Sequence, residues 1–317
     1  MILILTNERD LTTDFVIREL KRRGRDHFRL NTNVIADMSF ALDPITMSLV
    51  VSSRERRVQI DQVRAAYFRR PELPDLNKLD HDMGQRAYAS TEWSALLKSL
   101  YLLVGSRWLS HPRDILIAED KPSQIYLAKR LGFNVPDTVI TNDLDTARTL
   151  LAQGPIVGKP HRQAVVEIEG SEHVMFTSRI DAIAEEDREA LQYAPVIFQR
   201  LIPKKFDIRV TVVGEQVFSV AIHSQEYEEA SLDWRRGSNP KIRHEVITLP
   251  GDIQLACTEL VRQQKLRFGA IDLVLGEDGQ FWFLECNPNG QWAWIENRTG
   301  LPIAAAIVDE LERIAAV

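Results

Sequence analysis

Two strand-forming runs near the carboxyl terminus constrain the fold of this chain more than any other feature. They are GAIDLVL (269–275) and QFWFLECN (280–287), and the turn-forming residues GEDG connect them. This pattern predicts an antiparallel hairpin. Because alternate residues of a strand share a face, Glu285 and Asn287 lie on one side of the sheet. A two- or four-residue loop places Asp272 on that side as well, whereas a three- or five-residue loop places it on the other side.

The polar residues of this hairpin have the chemistry of a metal site. Two carboxylates on paired strands repel each other, and a bound cation removes the repulsion. Asp272 and Glu285 supply carboxylate oxygens, and Asn287 supplies an amide oxygen. Such ligands suit a Mg²⁺ ion that is carried in by nucleotide phosphates. The sequence therefore predicts a metal site, and the alternative is a solvated acidic pair on an edge strand.

A second predicted hairpin comes earlier in the chain. The segment DIRVTVV (207–213) alternates polar and apolar residues, and Gly214-Glu215 connects it to QVFSVAIHS (216–224). A two-residue loop with glycine first predicts a type II′ turn. Asp207 and Arg209 share the polar face, and a planar guanidinium beside a metal site is suited to binding a phosphate oxygen. The alternative is a solvated polar face.

The amino-terminal part alternates predicted strands with predicted helices. The strands lie at residues 2–5, 48–51 and 65–68. A helix with the sequence DFVIRELKRR follows the first strand, and Thr12 or Thr13 is its predicted N-cap. This alternation predicts a small parallel sheet. No GxGxxG sequence follows the first strand, so we predict no dinucleotide site there.

The same patterns divide the chain into three parts. A proline-containing loop at Arg107–Asp114 follows the first α/β unit, and the chain is mostly strand from Pro195 onward. We therefore predict a mixed α/β (α+β) fold with three subdomains, at residues 1–113, 114–198 and 199–317.

Composition argues against several classes of protein. The formal net charge is −6, which disfavours duplex nucleic acid as the main partner because phosphate-binding surfaces are basic. The two cysteines have no close spacing, so neither a disulfide framework nor a zinc site is expected. The first residues do not form a signal peptide, and no apolar run approaches the roughly 18 residues of a membrane span. We therefore expect a cytoplasmic protein without a membrane partner.

Two lysines complete an ordered set of motifs. Lys121 begins a helix that Asp120 is predicted to cap, and Lys159 ends the strand PIVGKP. Each lysine taken singly is more often surface charge. The order along the chain, however, is Lys121, Lys159, QRLI, DxR, a strand aspartate and ExN. This ordered set resembles the ATP-grasp superfamily over residues 115–300, and it implies an ATP-grasp fold.

The resemblance implies a role for each motif, with ATP and Mg²⁺ as cofactors. It implies that Lys121 and Lys159 contact phosphates and that Arg209, in the DxR motif with Asp207, binds phosphate as well. The residues implied at the adenine-side hinge are Gln199, Arg200, Leu201 and Ile202. Asp272, Glu285 and Asn287 match the metal ligands, and Asn287 is also expected beside the nucleotide. Many relatives carry a glycine-rich phosphate-covering loop where this chain has HRQAVVEIEG (161–170). Two alternatives follow: His161 or Arg162 covers the phosphates instead, or the loop is ordered only with nucleotide.

A finer resemblance is to the ATP-grasp macrocyclases of ribosomal peptides, the microviridin-type or graspetide family. It is carried by YFRRPELPD (67–75), VAIHSQ (220–225) and ECNPNGQW (285–292). The resemblance implies that Asp or Glu side chains of a precursor peptide are joined to Ser, Thr or Lys side chains as ω-esters or ω-amides. It also implies a partner peptide with a leader and an acidic core, and it suggests a homodimer.

A basic segment, DWRRGSNPKIRH (233–244), supports an acidic substrate. It follows a strand that is expected to end near the phosphates, so we predict that Arg235 and Arg243 bind the substrate carboxylate or its acyl phosphate. The alternative is a basic loop with no fixed role.

Two other functions share parts of this pattern. An ATP-grasp ligase of free amino acids or peptide tails would use the same nucleotide residues and would differ in its acceptor. A non-catalytic ATP-binding regulator would keep the fold without turnover. The complete set of Asp272, Glu285 and Asn287 argues against the regulator, because a protein that only binds nucleotide has less need of every metal ligand.

Overall fold

The computed structural model describes residues 1–53, 56–76, 82–161, 165–168, 171–234 and 241–317. The strands in chain order are β1 (Ile2–Thr6), β2 (His27–Asn31), β3 (Ser39–Asp43), β4 (Ser48–Ser52), β5 (Arg57–Gln59), β6 (Ala65–Phe68), β7 (Thr138–Thr141), β8 (Ile156–Pro160), β9 (Val165–Ile168), β10 (Ser171–Val174), β11 (Ser178–Ile180), β12 (Val196–Arg200), β13 (Lys204–Val213), β14 (Gln216–Ile222), β15 (His244–Ile247), β16 (Phe268–Gly276) and β17 (Phe281–Asn287). The α-helices are α1 (Leu11–Arg22), α2 (Met83–Val104), α3 (Pro112–Ala118), α4 (Lys121–Arg130), α5 (Leu144–Leu151), α6 (Asp187–Tyr193), α7 (Glu228–Ser231), α8 (Gly251–Gln263), α9 (Ala293–Thr299) and α10 (Ile303–Ala315).

The amino-terminal part contains a parallel three-stranded sheet in the order β2-β1-β6. The predicted parallel sheet is therefore confirmed, but the prediction was wrong for β4. That strand pairs antiparallel with β3 and β5 in a separate sheet. The connection from β3 to β4 is short, and a parallel pair would need a longer crossover.

The first helix begins earlier than predicted. Asp10, not Thr12 or Thr13, is the N-cap of α1, and its side chain accepts a hydrogen bond from the Thr12 backbone N–H. The Thr13 hydroxyl donates to the same carboxylate at 2.6 Å. A carboxylate that accepts both groups stabilises the helix start, because the first N–H groups of a helix have no partner within it.

A four-stranded sheet in the order β11-β8-β12-β7 forms the middle of the chain. Its apolar side packs against α5 and α6 through Leu144, Leu150 and Leu191. The other side is left for the cleft described below. Lys159 lies on β8, and Gln199 and Arg200 end β12, so this sheet carries two of the sequence motifs.

The carboxyl-terminal part is a five-stranded antiparallel sheet in the order β15-β14-β13-β16-β17. Helices α4 and α8 pack on one face, and α9, α10 and the amino-terminal sheet pack against the other. The polar face of β13 is consequently buried instead of solvated: Asp207 is 6% exposed, Arg209 is 5% exposed and Thr211 is 0% exposed. Polar groups in such surroundings require partners.

Helices α3 and α4 belong by packing to this sheet. Ile115, Ala118 and Ala128 share one apolar cluster with residues of β13 and β16. The predicted boundary after residue 113 falls inside α3. The division into three subdomains at residues 1–113, 114–198 and 199–317 stays a prediction. Within the described ranges, no helix is both long and apolar enough to cross a membrane.

Candidate active site

A cleft opens between the four-stranded sheet and the five-stranded sheet. Its lining contains nine of the residues singled out in the sequence: Lys121, Lys159, Gln199, Arg200, Leu201, Ile202, Asp207, Asp272 and Glu285. These residues come from five strands, one helix and one connection, separated by up to 164 positions in the chain. The fold thus brings together most of the residues that the sequence suggested.

A β-bulge brings the two carboxylates opposite each other. Next to the turn, Leu275 pairs with Phe281, so the loop between them has an odd number of residues. If this register continued along the strands, Asp272 would pair with Leu284 instead of Glu285. The register then shifts by one residue, so that Asp272 pairs with Glu285 and Leu284 is the extra residue. A bulge of this kind re-aims the side chains that follow it. The shared face that the sequence predicted therefore depends on Leu284 and not on the loop length alone.

Arg209 lies directly across from Asp272 in the pairing of β13 with β16. Its Nε is 2.9 Å from Asp272 Oδ1, although the N–H direction does not make this contact an aligned hydrogen bond. Its Nη1 is buried and has no hydrogen-bond partner among the described residues. A buried donor left in this way costs about 1–3 kcal/mol, which an anionic ligand oxygen would offset. Gly290 leaves the space for this guanidinium, because a Cβ at that position would be 3.2 Å from Nη1.

The two lysines approach the cleft from different elements. Lys121 Nζ is 3.3 Å from Glu285 Oε2, and it lies 3.4 Å from the carbonyl oxygen of Pro160. Lys159 Nζ donates a hydrogen bond to Gln199 Oε1 at 3.1 Å. Both ammonium groups are accessible from the cleft, where they are suited to holding phosphate oxygens.

The predicted hinge residues lie at the edge of the cleft. Gln199 is 2% exposed, and its Nε2 donates to Thr138 Oγ1 at 2.9 Å, so its amide group has partners on both sides. The Arg200 guanidinium points away from the cleft, and its Nη2 lies 3.3 Å from the carbonyl oxygen of Leu150. Leu201 and Ile202 line the cleft, where they supply apolar surface.

Asp207 forms an ion pair with a lysine that the sequence analysis missed. Lys204 Nζ lies 2.7 Å from Asp207 Oδ1 and 2.9 Å from Oδ2, and Ser224 Oγ donates to the same carboxylate. Burial raises the pKa of Asp207, and Lys204 and Ser224 oppose that shift. Residues three apart in a regular strand face opposite sides. A register shift between Lys204 and Phe206 removes that mismatch, and the sequence pattern gave no sign of it.

Four predicted residues lie away from this arrangement or outside the described part of the chain. Arg243 does not line the cleft; its Nη1 donates to Glu245 Oε2 at 2.6 Å, and its Nη2 is 2.9 Å from His223 Nδ1. Asn287 lines a neighbouring cavity. Arg235 lies outside the described residues, as does Arg162. The roles predicted for these residues stay predictions.

The donor set at Asp272 and Glu285 fits a magnesium ion that brings other ligands with it. Within the described ranges, no group of three or more His, Cys, Asp or Glu side chains is arranged to hold a metal ion. Two carboxylates alone do not complete an octahedral shell. Mg²⁺ usually keeps several waters and is bound through one or two carboxylates together with substrate phosphates, which is the arrangement these residues permit.

A buried glutamine connects the helix of Lys121 to the strand of Glu285. Gln124, which is 2% exposed, lies on α4 and faces Cys286, the residue between Glu285 and Asn287. Its Oε1 accepts from the Cys286 backbone N–H at 2.9 Å, and its Nε2 donates to the Cys286 carbonyl oxygen at 2.7 Å. The side-chain amide thereby makes the two backbone hydrogen bonds to Cys286 that a neighbouring strand would otherwise make. Sequence patterns do not indicate this contact, because its partners are 162 positions apart.

Arg69 secures the segment that follows β17 from the amino-terminal sheet. This arginine is 1% exposed, and its Nη1 donates to the carbonyl oxygen of Asn289. Its Nη2 donates to Gln291 Oε1 at 2.8 Å, and the Thr12 hydroxyl contacts the same oxygen. The strand that carries Glu285 is therefore held by groups from two other parts of the molecule.

Comparison with known proteins gives a consistent result at the level of structure. No protein-family model matches the chain, and no curated protein sequence matches it. A solved ATP-grasp ligase of Chryseobacterium gregarium, associated with ribosomally synthesised and post-translationally modified peptides, is 26% identical with a TM-score of 0.89, covering 98% of this chain and 96% of that one. The macrocyclase MdnB of Microcystis aeruginosa is 29% identical with a TM-score of 0.81, covering 98% of each chain. D-alanyl-alanine synthetase A of Vibrio cholerae, at 13% identity and a TM-score of 0.63, covers 100% of this chain and 98% of that one and shares the fold.

The fold and the cleft define this chain as an ATP-grasp ligase, an ADP-forming enzyme. Within that class it resembles the macrocyclases and ligases of ribosomal peptides, over nearly its whole length.

Gln124→Met tests whether the buried amide positions β17. The change leaves the N–H and carbonyl of Cys286 without partners, which we expect to lower the free energy of unfolding by about 1–3 kcal/mol. It also frees Glu285 relative to Lys121, so the affinity for Mg²⁺ in the presence of ADP should fall several-fold. Calorimetric titration and thermal unfolding measure the two effects. Gln263→Met, on the exposed side of α8, is the control and should change neither by a measurable amount. Unchanged Mg²⁺ affinity in Gln124→Met would contradict the positioning role.

Proposed function

We propose that this chain is an ATP- and Mg²⁺-dependent ligase that closes rings in a ribosomally made precursor peptide. It joins Asp or Glu carboxylates of an acidic core to Ser, Thr or Lys side chains, forming ω-ester or ω-amide bonds. The observation that carries the proposal is the meeting of Lys121, Lys159, Asp272 and Glu285 in one cleft. The similar Chryseobacterium gregarium structure contains ADP with a leader and a core peptide, which supports a peptide substrate for this chain.

The charges of the cleft suit the chemistry of carboxylate activation. Condensing a carboxylate with an amine or a hydroxyl in water is unfavourable, so the carboxylate first receives the γ-phosphoryl group of ATP. The acceptor then attacks the acyl phosphate and releases inorganic phosphate. In this proposal Lys121, Lys159 and Arg209 hold the oxygens on which negative charge is concentrated. Asp272 and Glu285 would hold Mg²⁺, which supplies further charge neutralisation at the phosphates.

Each of these three cationic side chains already has an anionic or polar partner within the protein. Arg209 is beside Asp272, Lys121 is beside Glu285, and Lys159 is beside the Gln199 amide oxygen. These contacts fix the side chains before nucleotide binds. Fixed charges lower a reaction barrier because they need little reorganisation when charge develops.

A ligase of free amino acids or peptide tails would use the same cleft. The sequence identities favour the peptide macrocyclase. They are 26% and 29% to ligases of ribosomal peptides, compared with 13% to the D-alanyl-alanine synthetase. A non-catalytic regulator is disfavoured because a protein that only binds nucleotide has less need of both Asp272 and Glu285 as metal ligands.

We also propose that the enzyme works as a homodimer in the cytoplasm. The exposed apolar side chains of Leu116 and Ile117 on α3 and of Tyr126 on α4 support a self-association surface, at 56%, 62% and 66% exposure. Light scattering on the purified protein would give a dimer mass if this proposal is correct and a monomer mass if it is not.

Incubation of the enzyme with ATP, Mg²⁺ and the acid-rich peptide encoded beside its gene tests the proposed reaction. The intact peptide mass should decrease by one water per bond formed, and the decrease should require ATP. A mass increase equal to an added amino acid would establish a ligase of another acceptor. Release of ADP with free amino acids and no change in the peptide would contradict the macrocyclase.

Glu285→Gln tests the metal assignment within the same assay. The substitution keeps the size of the side chain but removes its charge, and we expect turnover to fall about 10²-fold or more with the fold intact. Glu277→Gln is the matched control, because Glu277 lies on the exposed turn of the same hairpin and should tolerate the change. Wild-type turnover in Glu285→Gln would show that Glu285 does not hold the metal ion.

A further inference from the structure

A second cavity lies beside the cleft. It is enclosed by the carboxyl ends of β1 and β6, the start of α1, the residues after β17 and the start of α9. The lining residues that matter here are Asn7, Arg70, Asn287, Asn289, Gln291 and Trp294. The carboxyl edge of a parallel sheet is where α/β proteins commonly bind ligands, so the position itself is suited to a substrate.

The cavity and the cleft meet along β17. Glu285 lines the cleft, and Asn287, two residues further along the same strand, lines the second cavity. Two residues of strand span about 7 Å, so a ligand in the cavity would lie beside the metal-binding end of the cleft. Arg209 adds to this connection. Its Nε is 2.9 Å from Asp272, while its Nη1 lies close to Gly290, the neighbour of Asn289.

The backbone of Arg70 is strained. Its φ angle is +45°, in the left-handed region that glycine and asparagine adopt more readily than arginine. The Asn7 side-chain N–H donates to the Arg70 carbonyl oxygen at 2.7 Å, and the preceding residue, Arg69, is anchored as described above. Strain that the surroundings hold in place at a cavity wall is a feature of functional sites.

The guanidinium of Arg70 has positive neighbours and no anionic partner in the described residues. Its Nε is 3.4 Å from the carbonyl oxygen of Asn289, and no carboxylate lies within ion-pair distance of it. Partial burial of the side chain lowers the pKa of Arg70, although the residue as a whole is exposed, and the charges of Arg69 and Arg209 lower it further, against the opposing effect of Asp10. A cation held in such surroundings is stabilised by a bound anion.

The acidic residues of the cavity do not supply that anion. Asp10 caps α1, and its carboxylate is occupied by the Thr13 hydroxyl and by Arg69, whose Nε lies 3.6 Å away. Glu72 and Glu119 also line the cavity, and neither forms an ion pair with Arg70. Among the described lining residues, Arg70 is therefore available to an external carboxylate.

We propose that the second cavity receives part of the peptide substrate and that Arg70 binds a side-chain carboxylate of this peptide. This inference rests on the proposed function, because it takes the substrate to be an acidic peptide. The planar guanidinium suits a carboxylate through two parallel hydrogen bonds. The neighbouring side-chain amide of Asn289 can both donate and accept hydrogen bonds, which suits the peptide groups on either side of that carboxylate.

Two variants of Arg70 separate binding from folding. Arg70→Asn removes the charge, and asparagine adopts a positive φ more readily than arginine, so the protein should keep its unfolding temperature. Arg70→Lys keeps the charge and removes the planar fork. Arg64→Asn, at the opposite end of β6 and exposed, is the control. The probes are the fluorescently labelled acid-rich peptide, a copy with every core Asp and Glu replaced by Asn and Gln, and ADP with MgCl₂.

Fluorescence anisotropy in the presence of ADP and Mg²⁺ should show at least tenfold weaker binding of the acidic peptide to Arg70→Asn than to the wild type. Arg70→Lys should be intermediate, and Arg64→Asn should match the wild type. Affinity for the amide-substituted peptide should change less than twofold in Arg70→Asn, because the lost interaction is with charge. Affinity for ADP should be the same in all proteins. Equal binding of the acidic peptide by Arg70→Asn and wild type would overturn the proposal, as would an equal loss for both peptides and ADP.

The mass assay distinguishes this inference from the proposed function. If the wild type binds the acidic peptide through Arg70 but no water is lost with ATP, the ring-closing reaction is wrong and the binding site stands. If wild type and Arg70→Asn remove water from the peptide with equal kcat/KM, the reaction stands and the role of Arg70 is wrong.

Discussion

Two like charges on neighbouring strands, the carboxylates of Asp272 and Glu285, are the constraint on which the arrangement of this molecule depends. Their repulsion would push β16 and β17 apart if it were not compensated. Arg209 lies beside one carboxylate and Lys121 beside the other, at 2.9 Å and 3.3 Å. Arg209 belongs to β13, the central strand of the sheet, and Lys121 belongs to α4. The two ion pairs that compensate the repulsion therefore also bring β13 and α4 together at the wall of the cleft. A metal ion with nucleotide phosphates can then take the place of part of this compensation, which connects ligand binding to the geometry of the strands.

The end of β17 is held from two other parts of the molecule, and this explains how a short strand can carry a site of defined geometry. Gln124 binds both backbone groups of Cys286 from α4, and Arg69 binds Asn289 and Gln291 from the amino-terminal sheet. Buried polar side chains of this kind are costly unless every group has a partner, and here they connect elements far apart in the chain. The cleft and the second cavity meet along the same strand end. A substrate group and a nucleotide bound there would approach each other without a large movement of the backbone.

The sequence predicted elements well where a local pattern decides them. The strand at 65–68, the hairpin at Gly214 and the helix that begins at Lys121 all appear in the structure, because turn residues, caps and alternation act over a few positions. Prediction from sequence failed where a single residue shifts the pairing register of two strands, or where the contacting residues are far apart in the chain. The bulge at Leu284 and the register shift after Lys204 decide which side chains face the cleft, and neither leaves a mark on the hydrophobic pattern. No sequence pattern distinguishes Gln124 from other helix residues. The alternation in β13 allows a solvated polar face at Arg209, whereas in the structure both faces of β13 are covered. The clustering of Lys121, Lys159 and the carboxylates followed from the order of motifs and not from the properties of any one residue.

The central claim is that Asp272 and Glu285 together form the metal-binding end of a nucleotide cleft. A crystal structure of the protein with ADP and Mn²⁺, with the metal located by its anomalous scattering, tests it most directly. We expect a Mn²⁺ ion about 2.1 Å from an oxygen of each carboxylate and bonded to phosphate oxygens, with the adenine beside Leu201 and Ile202. A metal ion bound elsewhere, or ADP bound outside this cleft, would contradict it.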